Sequence, residues 1–192
     1  MTRISQLQLP PPKNWQDFES LCKDLFSKKL KNTLLQKNGR SGQTQHGVDI
    51  FGKSGVNESE HFGIQCKAKD SLTNKTLLEA ELLTEVKKAT LFKPALTHFI
   101  IATTAPKDSK IEAIAREITE KHKKRGLFSV TILGWDDILE ELENHLDVAR
   151  LYYPTLFETT KSRHHEYIDF WAKAVDLNSF NKNAIIFPFH FY

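Results

Sequence analysis

A chain of 192 residues, 40% hydrophobic and 27% charged, is long enough to bury one sizeable α/β core and has the composition of an ordinary globular protein, which excludes fibrous and low-complexity classes. The net charge is only +3, but residues 1–75 hold 12 Lys and Arg against 7 Asp and Glu while the rest hold 15 against 17, a basic excess at the front that hints at an anionic partner. Two cysteines, no Cys/His pairing at zinc spacing, no apolar signal core and no run approaching a membrane span point away from disulfide scaffolds, zinc fingers and membrane partners, and towards reduced thiols in a cytoplasmic protein.

Residues 1–13 read as an extended lead-in closing on Pro10-Pro11-Pro12. Asn14 is placed to cap a helix to about Leu30, with Trp15, Phe18, Leu21, Cys22, Leu25 and Phe26 at helical spacing. Thr33–Lys37 is a short strand candidate, followed by the Gly-rich loop NGRSGQTQHG. A hairpin comes next, with arms Val48–Lys53 and His61–Ala68 around the turn SGVNESE. Asn74 opens a helix to about Phe92, ended by Pro94, and Leu96–Thr104 is a strongly apolar strand suited to the middle of a sheet. Asp108 starts a further helix that finishes at Gly126. Leu127–Leu133 is a strand, and WDDILEELENHL a closing helix. Beyond Pro154 the pattern weakens to one helix candidate, Arg163–Leu177, and the apolar, aromatic end AIIFPFHFY, which suits a partner surface or continuation into a longer protein. The order α-β-β-β-α-β-α-β predicts a mixed sheet flanked by helices: one α/β domain over 14–153 and an extension over 154–192.

Strand alternation concentrates the chemistry in the hairpin. With Val48 and Ile50 on one face, Asp49 falls on the other; with Phe62, Ile64, Cys66 and Ala68 on one face, Gln65, Lys67 and Lys69 fall opposite. Pairing the apolar faces therefore gathers a carboxylate, an amide and an ammonium on one side of a sheet. Glu19 lies at the edge of the apolar arc of the first helix, where a carboxylate is costly unless Lys67 or a bound cation meets it. Oxygen ligands from Asp49, Glu19, Gln65 and the backbone carbonyl of Cys66 suit Mg²⁺ or Mn²⁺ rather than zinc. Such an ion acidifies a bound water and neutralises charge on a phosphate, while Lys67 orients the attacking water. Lys37, Arg40, Gln43, Gln45, His46 and Lys69 surround this set as candidate contacts to nucleic acid.

The same residues carry a resemblance. GVDIFG and GIQCKAK, preceded by GRSGQTQHGVDI and followed by HFIIATTAPKD, are similar to the PD-(D/E)xK nuclease superfamily in its Mrr-like restriction endonuclease branch. There an Asp follows a Gly-rich turn and the next strand carries (D/E/Q)-x-K. Asp49 and Gln65-Cys66-Lys67 stand at those positions, and Glu19 in WQDFESLC resembles the first-helix acid. The resemblance implies a restriction-endonuclease-like α/β fold with an α-β-β-β-α-β core, and a Mg²⁺-dependent endonuclease with Glu19, Asp49, Gln65 and Lys67 in the catalytic set. It further implies cleavage of DNA, with RNA an alternative substrate. It also implies a role in bacterial or archaeal antiviral defence, as a homo-oligomer or part of a larger complex switched on by assembly. Gln65 departs from the acid found in many relatives, and an amide brings no charge to a metal.

A catalytically weak or inert module of the same fold, binding nucleic acid or a protein partner, is the competing reading, and Gln65 favours it. Lys121–Arg125 looks like a nucleic-acid patch but sits where a helix should end, so complementing the helix dipole explains it better. His164-His165 lack a metal-like spacing. Thr103, Thr104 and Asp108 read as strand end and helix cap, and Trp135 as a core residue ahead of Asp136 and Asp137 at a helix start.

Overall fold

In the computed structural model of the chain, residues 4, 9–39, 45–69 and 76–157 are described. The chain divides into two compact units, Met1–Tyr152 and Tyr153–Tyr192. In the second, residues 155–157 are helical, with the Leu156 and Phe157 amides donating to the carbonyls of Tyr153 and Pro154. The expected helix Arg163–Leu177, His164-His165 and the apolar C-terminal end lie outside the described residues.

The first unit runs α1 (Trp15–Lys29), β1 (Gln36–Lys37), β2 (Ile50–Lys53), β3 (His61–Lys67), α2 (Glu79–Ala89), β4 (His98–Thr103), α3 (Ser109–Lys123), β5 (Ser129–Leu133), α4 (Trp135–Asn144) and α5 (Leu146–Tyr152). The sheet order is β1-β2-β3-β4-β5. The first two pairings are antiparallel and the last two parallel, with Ile50 opposite Ile64 and Cys66 opposite Ala102. This is the mixed α/β sheet flanked by helices that the element order implies. Among the described residues no helix is long and apolar enough to cross a membrane.

Two cores hold the sheet. On one face α2 and α3 bury Leu82, Val86, Ala89, Ile111, Ala115 and Ile118 against Phe99, Ile101 and Val130. On the other, α1 buries Phe18, Leu21, Cys22, Leu25 and Phe26, and α4 buries Trp135, Ile138, Leu139 and Leu142. The Phe18 and Trp135 rings meet at 6.4 Å, and the Trp135 indole donates to the Leu9 carbonyl at 2.7 Å. Complete burial of a side chain such as Phe18 or Leu142 contributes on the order of 2 kcal/mol.

Several elements differ from expectation for physical reasons. The first strand shrinks to Gln36–Lys37 because the Asn32 side chain takes the backbone groups a longer ladder would use. Its oxygen accepts from the Leu34 amide at 2.8 Å, and its nitrogen donates to the Lys53 carbonyl at 2.6 Å. The second helix starts at Glu79, not Asn74: Leu78 is extended, and its amide donates to the Glu81 carboxylate at 2.9 Å, half of a capping box. Leu77 is buried in the same core as Leu82, the pairing of a hydrophobic staple across a helix start, which is why it mimicked a helical residue. Asn14 and Asp108 cap α1 and α3 as read. Lys121 and Lys123 lie in the last turn of α3, with His122 buried against the Phe128 carbonyl at 2.9 Å. Gly126, at φ +65°, takes the left-handed turn beyond it.

Candidate functional site

The hairpin and α1 converge on one cleft of about 650 Å³, lined by Trp15, Gln16, Glu19, Lys37, Gly39, Gln45, Asp49, Gln65–Lys69 and Glu81. Asp49 is its centre. The residue sits one position before β2, and its amide donates to the Ile64 carbonyl at 2.9 Å, so the strand pairing itself aims the carboxylate along β3. Its Oδ2 accepts from Gln65 Nε2 at 2.6 Å and from the Cys66 amide at 2.7 Å. The alternation argument thus brings Asp49 to Gln65, but one step in it needs correcting. Val48 does not share a face with Ile50: it precedes the strand, across the bend at Asp49, and joins the α2–α3 core.

Burial pushes the Asp49 carboxyl up, from 3.8 to about 6. The Cys66 amide draws it down, Glu19 pushes it up again, Lys67 lowers it and Glu85 raises it. A carboxyl in this position is held short of positive charge.

The positive charge is nearby but engaged. Lys67 Nζ lies 2.8 Å from Glu85 Oε1 on α2, and Lys88 approaches the same oxygen at 3.1 Å. Burial works against the Glu85 charge, yet the two ammonium groups outweigh it and hold the carboxyl below its ordinary range. Gly47, at φ +71°, makes room: a Cβ there would stand 2.8 Å from Glu85 Oε2. Lys37 pairs with Glu19 at 3.3 Å and donates to the Ser20 hydroxyl at 2.9 Å, so the cation meeting Glu19 is Lys37 and not Lys67. Lys69 binds both oxygens of Glu81, at 2.6 and 2.7 Å, and this holds the Glu81 carboxyl down. Each lysine of the cleft therefore has a glutamate partner.

The remaining candidates divide. Gln45 lines the cleft; His46, at φ +50°, is exposed beside it; Arg40 and Gln43 lie outside the described residues. Asn38, which sequence reasoning missed, ties the loop ends together. Its amide group donates to the carbonyls of Val48 (2.8 Å) and Gln45 (3.3 Å), and its backbone N–H donates to the Asp49 carbonyl at 2.6 Å. Glu85 was also missed, although an acid between Leu82, Val86 and Ala89 on an apolar helix face is the same signal that flagged Glu19. At the far end of β3, the Thr103 hydroxyl donates to the Lys67 carbonyl at 2.8 Å, and the Thr104 hydroxyl and Lys69 amide bond each other's residues. These threonines finish the strand as expected and also pin the lysine-bearing end of its neighbour. Trp15, which helical spacing groups with the apolar side chains of α1, is half exposed and lines the cleft.

Whether these donors suit a metal can be judged from the set itself. Asp49 and Glu19 offer two carboxylates; Gln65 turns its amide nitrogen, not its oxygen, to Asp49. Among the described residues no three or more His, Cys, Asp and Glu side chains gather as a metal-binding group. Two carboxylates beside an open cleft fit a Mg²⁺ ion that keeps most of its water, and they fit no closed protein cage. Behind the site, the neighbouring Cys22 thiol and burial raise the Cys66 thiol well above its ordinary value, so Cys66 is a neutral packing group.

A family model described as restriction endonuclease, of the Mrr catalytic type, matches residues 13–131, more than half of the chain and all of the cleft. Comparison with curated proteins and with solved structures finds no match.

Proposed function

The chain belongs to the Mrr-type restriction endonuclease family, and from that premise we propose that its cleft binds the phosphate backbone of DNA with weak or no hydrolysis in the isolated chain. The observation that carries this reading is the pairing of Lys37, Lys67 and Lys69 with Glu19, Glu85 and Glu81 around Asp49, with no metal-binding group of three or more His, Cys, Asp and Glu side chains among the described residues. A phosphate entering the cleft offers each lysine an anion to exchange for its glutamate, and Gln45 and Gln65 add amide donors. Charge exchange of this kind supplies affinity and positions a backbone; it requires no chemistry.

A second reading has its own support. Asp49, whose burial raises its carboxyl to about 6, gains from a cation that stabilises its ionised form, and Glu19 lines the same cleft. Mg²⁺ or Mn²⁺ held there by Asp49 and Glu19, when bound, supplies an acidified water and neutralises phosphate charge. Lys67, if released from Glu85, is then the group placed to orient that water. On this reading the chain is a metal-dependent endonuclease of cytoplasmic antiviral defence, switched on by homo-oligomeric or larger assembly.

Fluorescence anisotropy with labelled DNA, run beside plasmid cleavage in Mg²⁺, Mn²⁺ or EDTA, separates the two. We expect micromolar binding at low salt with or without metal, and at most slow nicking. Rapid metal-dependent linearisation, lost in Asp49→Ala, would establish the second reading and overturn the first. Absence of binding would overturn both.

A further inference from the structure

Trp15 is out of place for a packing residue. The apolar face of α1 is complete without it, since Phe18, Leu21, Cys22, Leu25 and Phe26 are buried, while Trp15 leaves half of its surface in water. A large aromatic group left half exposed at the first position of a helix gives up burial worth about 1 kcal/mol. Its backbone is firmly held. The Asn14 oxygen accepts from the Asp17 amide at 2.8 Å, and the Asn14 nitrogen donates to the Asp17 carboxylate at 2.7 Å, so the ring projects from a capped, rigid helix start.

The surroundings say what such a ring meets. Trp15 shares the cleft with Gln16 and Gln45, whose amides can read the edge of a base, and with Lys37 and Lys69, whose ammonium groups can hold phosphates. An aromatic face, amides and cations in one cleft are the parts that bind unpaired nucleotides. In a duplex the base faces are covered by their neighbours, and a tryptophan at the mouth has nothing to stack on. We propose that this cleft takes an unpaired nucleotide, from a single strand, a frayed end or a base turned out of its helix, stacked on Trp15. The inference rests on the reading of the cleft as a nucleic-acid site and names the form of strand it selects.

The test compares a labelled 12-nucleotide single strand with a blunt duplex of the same sequence, by anisotropy at one fixed salt concentration. The variants are Trp15→Ala, Trp15→Phe and, as a probe of the cleft itself, Lys69→Ala. Stacking predicts that Trp15→Ala weakens single-strand binding by about 10-fold or more, leaves duplex binding within about twofold, and is largely rescued by Trp15→Phe. Lys69→Ala should weaken both ligands. Equal loss on both ligands, or none, with Trp15→Ala would overturn the stacking role while leaving the cleft reading intact. Wild-type protein that binds neither ligand, or Lys69→Ala without effect on either, would overturn the cleft reading and this inference with it.

Discussion

At Asp49 the folded chain holds a proton that the unfolded chain releases. The carboxyl titrates near 6 when folded and near 3.8 when exposed, so between those values the folded state binds the extra proton. The contribution of this group to stability therefore rises as pH falls through 6 and levels off below about 4; at neutral pH the ionised carboxylate is a net cost. Two pKa units are worth nearly 3 kcal/mol, and partial contact with solvent brings that to about 2. Asp49→Asn keeps an oxygen for Gln65 and the Cys66 amide and removes the charge. It should raise the melting temperature by about 5 °C at pH 8, with the gain vanishing near pH 4, in calorimetry across that range. A variant no more stable than wild type at pH 8 would mean that the carboxylate is already compensated.

Among the elements, the contact of α2 with β3 decides how the site is held. Glu85 lies buried on a helix whose neighbours Leu82, Val86 and Ala89 face the core, and it reaches across to Lys67. Removing the buried Glu85 carboxylate leaves the part-buried Lys67 ammonium without its partner, so Glu85→Ala should cost about 2 kcal/mol in urea denaturation. Lys67→Met in the same background should restore a good part of that loss, because the remaining ammonium, that of Lys88, is half in water. Additive losses in the double variant would show that the two side chains do not depend on each other. This contact also marks the limit of what could be read without coordinates. Gln65 and Lys67 were legible because alternation along β3 is local and a period of two needs no knowledge of neighbours; Asp49 reaches Gln65 from a bend, where alternation does not hold. The partner of Lys67 was not legible, because the choice between Glu19 and Glu85 depends on which face of the sheet each helix covers. Trp15 was misread for a related reason: helical spacing puts it on the apolar arc of α1, but burial depends on whether anything lies opposite the first turn. The end of Leu96–Thr104 and the caps Asn14 and Asp108 were legible because their signals are confined to a few residues.

Taken whole, the molecule has little charge with which to draw a polyanion from a distance: +3 net, with a mild excess over the front part of the chain. Binding should come from the few cations of the cleft, not from a field over the surface. With three lysines exchanging partners, the logarithm of the single-strand binding constant should fall with the logarithm of salt concentration at a slope of about −2. In a salt titration Lys69→Ala should reduce that slope by about 0.7. A slope of −5 or steeper would place the interface elsewhere on the chain. Much of the centre of this cleft comes from one uninterrupted stretch of chain. Asp49 meets Gln65 across 16 residues, Lys67 meets Glu85 across 18, and Lys69 meets Glu81 across 12. The rim, with Trp15, Gln16 and Glu19, belongs to α1 and is separated from that stretch by residues 30–48, which include β1. In inheritance the two are separable: a genetic crossover within residues 30–35 replaces α1 and passes β1 and the hairpin on unbroken. On the proposed reading, a lineage can thus change the aromatic rim without rebuilding the hairpin behind it.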